Sequence, residues 1–178
     1  MILWSIQHKN AYDQMLLDGR LVISEEYVRR SMPEFIFAYS WMTDQMIKRI
    51  GQKPKGVNYP MWAWYQWEGE RKRLDMRSHR VWGEKGTPIV LLTIDVPPEK
   101  VLLSDFDMWH MVLNNGYLAL TEEDEKEIYS DKEKIKSWEN IFNYEVETDY
   151  WNAPKSTQAT MWEIKKEWIL KAEHFISR

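Results

Sequence analysis

Cysteine is absent from the 178 residues. Thiol catalysis, thiolate metal sites and disulfides are therefore excluded, and a reducing cytoplasm is the compartment this composition fits. No segment approaches the run of about 18 apolar residues that spans a membrane. The opening MILWSIQHKN lacks the apolar stretch of a signal peptide. Positive charge is not in excess: the formal net charge is −4, so no global basic field for nucleic acid exists. The glycine-rich phosphate loops, the G-x-S-x-G elbow and the H-E-x-x-H zinc motif are all missing.

What the chain has instead is tryptophan, eleven in all. Indoles bury large areas, and each buried N–H wants an acceptor. Such a surplus means either a very aromatic core or a stacking surface. Residues 59–67 read YPMWAWYQW, and Arg71, Lys72, Arg73, Arg77, His79 and Arg80 follow almost at once. Wide rings beside guanidinium forks are what a flat, anionic ligand such as a nucleotide requires. A core strand followed by a solvated charged loop is the other reading of the same residues. Stacking on a base contributes roughly 1–3 kcal/mol per ring. Arg77 is the leading phosphate ligand, because Asp75 stands two residues away and can fix its fork.

Hydrophobic residues make up 44% and charged residues 29% of the chain, which is globular and ordered. Periodicity predicts strands over 2–7, 21–24, 59–67, 88–96, 101–104 and 157–164. In the strand 59–67, Trp62, Trp64 and Gln66 alternate with Met61, Ala63, Tyr65 and Trp67. Both sets are largely apolar, so this strand is expected to be central. Helices are predicted over 8–18, over 31–50 with a Ser31–Glu34 capping box, over 105–115, and over 121–142 as a charged outer helix. A final helix is expected from the spacing of Trp168, Ile169, Ala172, Phe175 and Ile176. Helices and strands do not alternate regularly. The expectation is therefore an α+β fold, a single domain over 1–178 with small mixed or antiparallel sheets flanked by helices. Asp105, Asp107 and His110 in SDFDMWH match no established metal loop, and Asp105 reads better as a helix N-cap; no metal is expected.

The stretches LWSIQ, AYDQMLLDGRL, WAWYQW, VLLSDFDMWHMVLN and QATMWEI resemble an uncharacterised family of small bacterial and phage proteins over nearly the whole chain. More remotely, ILWSIQHKNAYDQMLLDGRL, VLLTIDVPPEKVLL and QATMWEI resemble ADP-ribosyltransferase folds. That second likeness implies NAD as cofactor. Trp4, Ser5 and Gln7 would line the nicotinamide side, Trp64 or Tyr65 would stack a ring, and Arg77 would hold phosphate. Gln158 and Glu163 would orient the ribose as catalytic residues. Two departures stand out. No His or Arg occupies the first strand where that family holds the nicotinamide, Ser5 lying nearest the place. Thr160 stands where the catalytic Glu is expected, and Glu163 faces the opposite way by alternation. The alternative reading is a non-catalytic binding module that captures a host protein or a nucleotide signal. An RNA-binding reading rests on the Trp and Arg adjacency and is opposed by the acidic balance.

Overall fold

In a computed structural model of the chain, the described residues are 1–79, 84–125, 128–146, 148, 150–151 and 154–178. Strand β1 (Ile2–His8) runs into helix α1 (Lys9–Asp18), which ends at Gly19 in the left-handed conformation. The two-residue strand β2 (Arg20–Leu21) and helix α2 (Glu25–Ser31) come next. A 3-10 turn (Pro33–Phe35) leads into α3 (Ile36–Ile50). Then come β3 (Met61–Gln66), the short α4 (Met76–His79), β4 (Pro88–Asp95), β5 (Leu102–Asp105) and α5 (Phe106–Leu113). Helix α6 (Asp131–Ser137) precedes β6 (Thr157–Met161), β7 (Ile164–Lys165) and β8 (Ile169–Ile176).

One six-stranded sheet in the order β5-β6-β3-β1-β4-β8 organises the chain. Every pairing within it is antiparallel. β2 and β7 form a second, two-stranded antiparallel sheet. The expected α+β class is the one observed, and β3 is central as its two apolar faces imply. One face of the large sheet carries Leu3, Met61, Ala63, Val90, Leu92, Ala159 and Met161, sealed by Met15 of α1 and by Ile164 and Trp168. Burying each of the Leu, Val and Met chains among them contributes about 1.5–3 kcal/mol before entropy is counted. The other face is more aromatic. Trp4, Ile6, Ile89 and Leu91 lie there under Leu74 and Met76. Further along it, Trp62 and Leu102 pack under α3 and α5 through Tyr39, Met42, Met108 and Trp109.

Several local expectations give way to tertiary demands. The segment read as a final helix is β8. Its apolar spacing fits either period, but β4 is buried on both faces and needs a neighbour on each edge; β1 takes one and β8 the other. Ser31 does not open a helix with Glu34. It ends α2, whose cap is Ser24 accepting from the Tyr27 N–H, and Pro33 starts a separate turn. The charged stretch 121–142 is not one helix either. Thr121 and Asp124 form a capping box over a 3-10 turn alone, and α6 starts afresh at the Ser130–Glu133 box. The apolar stripe of that stretch is too thin to hold a long helix by packing. The expected strand 21–24 shortens to Arg20–Leu21. Among the described residues no helix is long and apolar enough to cross a membrane.

Candidate functional site

Antiparallel pairing decides which side chains meet. Trp4 on β1 lies opposite Trp64 on β3, Trp64 lies opposite Gln158 on β6, and Gln158 lies opposite Ser104 on β5. Directly opposed residues share a face, with Cβ atoms about 4.5–5.5 Å apart. These four residues therefore form one row across the aromatic face. Gln158 Nε2 donates to Ser104 Oγ at 3.2 Å, which fixes the amide. Gln158 and Ser104 are buried, at 5% and 0% exposure, while Trp64 is half-buried.

A second group of rings extends the row. Trp67 meets Trp64 edge-on at 4.6 Å between centroids, and Phe106 meets Trp64 at 4.7 Å. His79 lies 4.9 Å from Trp67, and His110 lies 4.7 Å from Phe106. Strict alternation would send Trp67 to the other face with Met61 and Tyr65. It does not go there, because β3 carries an irregularity between Trp64 and Gln66. The chain then turns through Glu68 at φ 46 and Gly69 at φ 79. Ser156 Oγ accepts the Glu68 N–H and the Lys155 carbonyl accepts the Gly69 N–H, so the turn is pinned to the entry of β6. Beside these rings lies a hollow of about 320 Å³ lined by Trp67, Glu68, Arg73, Asp75, Ser78 and His79, among others, at the small end of ligand-sized cavities.

The positive charge of this loop is largely answered from within. Arg71 donates to the carbonyls of Tyr65 (2.7 Å) and Ile2 (2.6 Å), with its guanidinium 3.8 Å from the Tyr65 ring centroid. It thereby ties β1 to β3 beyond their paired residues. Lys72 pairs with Glu70. Arg73 makes a two-pronged pair with Glu173 of β8, at 2.8 and 3.2 Å. Arg77 grips Asp75 through Nε (3.0 Å) and Nη2 (2.6 Å), as the two-residue spacing suggests. The Arg77 hydrogen bonds hold the Asp75 carboxyl well below the usual carboxylate range. The Arg73 hydrogen bond likewise lowers Glu173. Arg77 is 88% exposed, so its fork is the one most open to exchange with another anion. Arg80 lies outside the described residues.

The eight residues singled out by sequence divide between the faces. Trp4, Trp64 and Gln158 come together in the row, and Arg77 on α4 reaches the hollow only through Asp75, which lines it. Ser5, Gln7 and Tyr65 belong to the opposite face. There Ser5 Oγ donates to the Trp62 carbonyl at 2.8 Å, and Gln7 Nε2 donates to Ser5 Oγ at 2.7 Å. Trp4, Ser5 and Gln7 thus do not line one wall. Glu163 lies beyond β6 and accepts from Arg20 at 3.0 Å, beside the small sheet. Thr160 is fully buried and donates to the Leu102 carbonyl. Trp67, Phe106 and Ser104 join the site without having been assigned to it by sequence. Phe106 directly follows the cap residue Asp105 in SDFDMWH, a stretch first weighed for its acids rather than its ring.

Asp105 acts as that cap, accepting the Met108 N–H at 2.9 Å. Burial pushes its carboxyl up from the ordinary value, against the Met108 hydrogen bond. Among the described residues no three His, Asp or Glu side chains gather as metal ligands would. In the next row, Trp62 opposes Thr160 and packs on Trp109 and Tyr39. Burial raises the Tyr39 phenol to about 12.

Fold and site together define an α+β domain with one sealed aliphatic sheet face and one aromatic face that ends in a hollow. The chain belongs to the family of the domain of unknown function DUF3841, whose model matches residues 2–136. That span runs from β1 into α6 and takes in Trp4, Trp64, Arg77 and Ser104, while Gln158 lies beyond it. No curated protein and no solved structure matches the chain.

Proposed function

We propose that the protein binds NAD or a related nucleotide on the aromatic face, in the manner of the ADP-ribosyltransferase folds it distantly resembles. One observation carries this reading: the register that sets Trp4, Trp64 and Gln158 in a single row on three adjacent strands. In those folds the first and a late strand act on the same ligand, and here β1 and β6 flank β3 directly. A planar base or nicotinamide ring stacks on Trp64 or on Trp67, whose planes stand 82° apart, at roughly 1–3 kcal/mol for the ring used. The Gln158 amide offers a donor and an acceptor to a carboxamide or a ribose hydroxyl. Phosphate exchanges for Asp75 at the exposed Arg77 fork, a like-for-like replacement of one anion by another. A reducing cytoplasm, where such nucleotides are abundant, suits the cysteine-free chain.

A second reading, binding without transfer, is favoured by a specific observation. Transfer from NAD requires a carboxylate near the cationic sugar centre. Thr160 takes the expected place with its hydroxyl committed to Leu102, and Glu163 is held by Arg20. The chain would then capture a nucleotide signal or a host protein.

Thermal-shift measurement with NAD, ADP-ribose and ATP tests binding. The expected result is a rise in Tm with at least NAD, abolished by Trp64→Leu or Gln158→Ala and reduced by Arg77→Ala. Silence from all three at millimolar concentration overturns the nucleotide reading. Release of nicotinamide from NAD, followed by chromatography, separates the two readings: release establishes transfer or hydrolysis, and binding without release leaves the module.

A further inference from the structure

The two edges of the large sheet are not alike. β5 is short and packs against α3, α5 and the 3-10 turn Trp138–Phe142. β8 is eight residues long, pairs among the described residues only with β4, and has Leu170 and Ile176 exposed at 62% and 52%. A long open edge is a template for another strand, because its outward N–H and C=O groups have no ladder partner.

Which groups point outward follows from the β4 side. The Ser177 N–H bonds the Thr87 carbonyl and the Ser177 carbonyl accepts from Gly86. By alternation, Phe175, Glu173 and Lys171 also turn their main chain toward β4. Pro88, which has no N–H, lies opposite Ile176, in agreement with this. Ala172, His174 and Ile176 therefore present their backbone groups to the open edge.

The sequence of this edge is self-complementary in one register. Two copies related by a twofold axis normal to the sheet must oppose residues of the same face and the same outward set. With the axis at Ala172, Ala172 opposes itself and Lys171 opposes Glu173 in both directions, while Leu170, skipped by the β4 register between Lys171 and Ile169, meets His174 at a bulge. The charges then match across the junction, and Glu173 already attracts Lys171 within its own strand at 3.1 Å. With the axis at Glu173, two glutamates face each other, which is destabilising. With the axis at His174, Lys171 opposes Ser177 and gains no charge partner. We propose that β8 pairs antiparallel with β8 of a second copy about a twofold axis at Ala172, joining two six-stranded sheets into one.

Sedimentation equilibrium tests this on the full chain. The expected species is a concentration-dependent dimer of twice the 21.6 kDa chain mass. Ala172→Pro removes the outward N–H at the axis while leaving the bonds to β4, and should give a monomer with an unchanged circular dichroism spectrum. A second variant guards against misfolding. Because the chain has no cysteine, Ala172→Cys can cross-link only to itself. Opposed bonded residues have Cα atoms about 5.5 Å apart, within the span of a disulfide. Oxidised Ala172→Cys should run as a covalent dimer, and His174→Cys should not. A monomer at every concentration overturns the proposal. So does a dimer in which His174→Cys cross-links and Ala172→Cys does not.

Discussion

The two faces of the six-stranded sheet differ in kind. One is a mainly aliphatic layer under α1, in which Leu3, Val90, Leu92 and Ala159 are fully buried. The other carries Trp4, Trp64, Trp67 and Phe106, several of them half-buried, with a polar row of Gln158 and Ser104 between. The packed part of the aliphatic face has volume and no direction, so those residues contribute packing, while Ser5 and Gln7 beside them bond to each other and Ser5 to the Trp62 carbonyl. The aromatic face combines flat rings, a fixed amide and, nearby, an exposed guanidinium, the features on which the proposed nucleotide binding rests. Sheet alternation is what keeps these two sets of side chains apart on the same strands.

Substitutions on the two faces sharpen this division. Leu92→Ala on the aliphatic face should cost the most stability, about 2–5 kcal/mol by denaturant unfolding, while leaving any NAD-induced rise in Tm intact. A lost ligand response in a folded Leu92→Ala protein would blur the division. Trp64→Leu on the aromatic face should cost less, roughly 1 kcal/mol, mainly the edge contacts to Trp67 and Phe106, yet it should remove the ligand response. A Trp64→Leu protein as unstable as Leu92→Ala would mark Trp64 as core rather than surface.

The smallest effect is expected at Asp105, where the faces meet at the cap of α5. Burial raises its carboxyl in the folded state. The favourable contribution of the protonated form is therefore full below the ordinary aspartate range and is lost as pH rises through the raised folded value. Asp105→Asn keeps the acceptor for the Met108 N–H without the charge. Its advantage over the parent should grow from acid to neutral pH and stay below the roughly 1 kcal/mol that losing a cap costs. Thermal melts across that range check the sign, and an advantage that grows on acidification contradicts it.

Much of the fold could be read from local pattern, and the reasons are physical. PIVLLTID is β-branched and apolar on both sides, and it is the buried strand β4. MWAWYQ alternates, and it is central. The Arg77–Asp75 fork was legible because the two residues are neighbours in sequence. β8 was misread because Ile169, Ala172 and Ile176 satisfy a helical stripe as well as a strand. Its state depends on an unfilled edge of β4, some eighty residues earlier in the chain.

The site was legible only in part, for the same reason. Trp4, Trp64 and Gln158 were singled out one at a time, but their common row is a fact of register between strands far apart in sequence. Ser5 and Gln7 sit beside Trp4 in sequence and on the other side of the sheet in space. The basic loop looked free because Glu173, which answers Arg73, lies a hundred residues away. Composition and short-range period dictated that this chain has no thiol chemistry, a central aromatic strand and a buried β-branched one. Strand pairing dictated which rings share a face, which cations are already matched and which edge is left open, because those depend on contacts whose partners no local window contains.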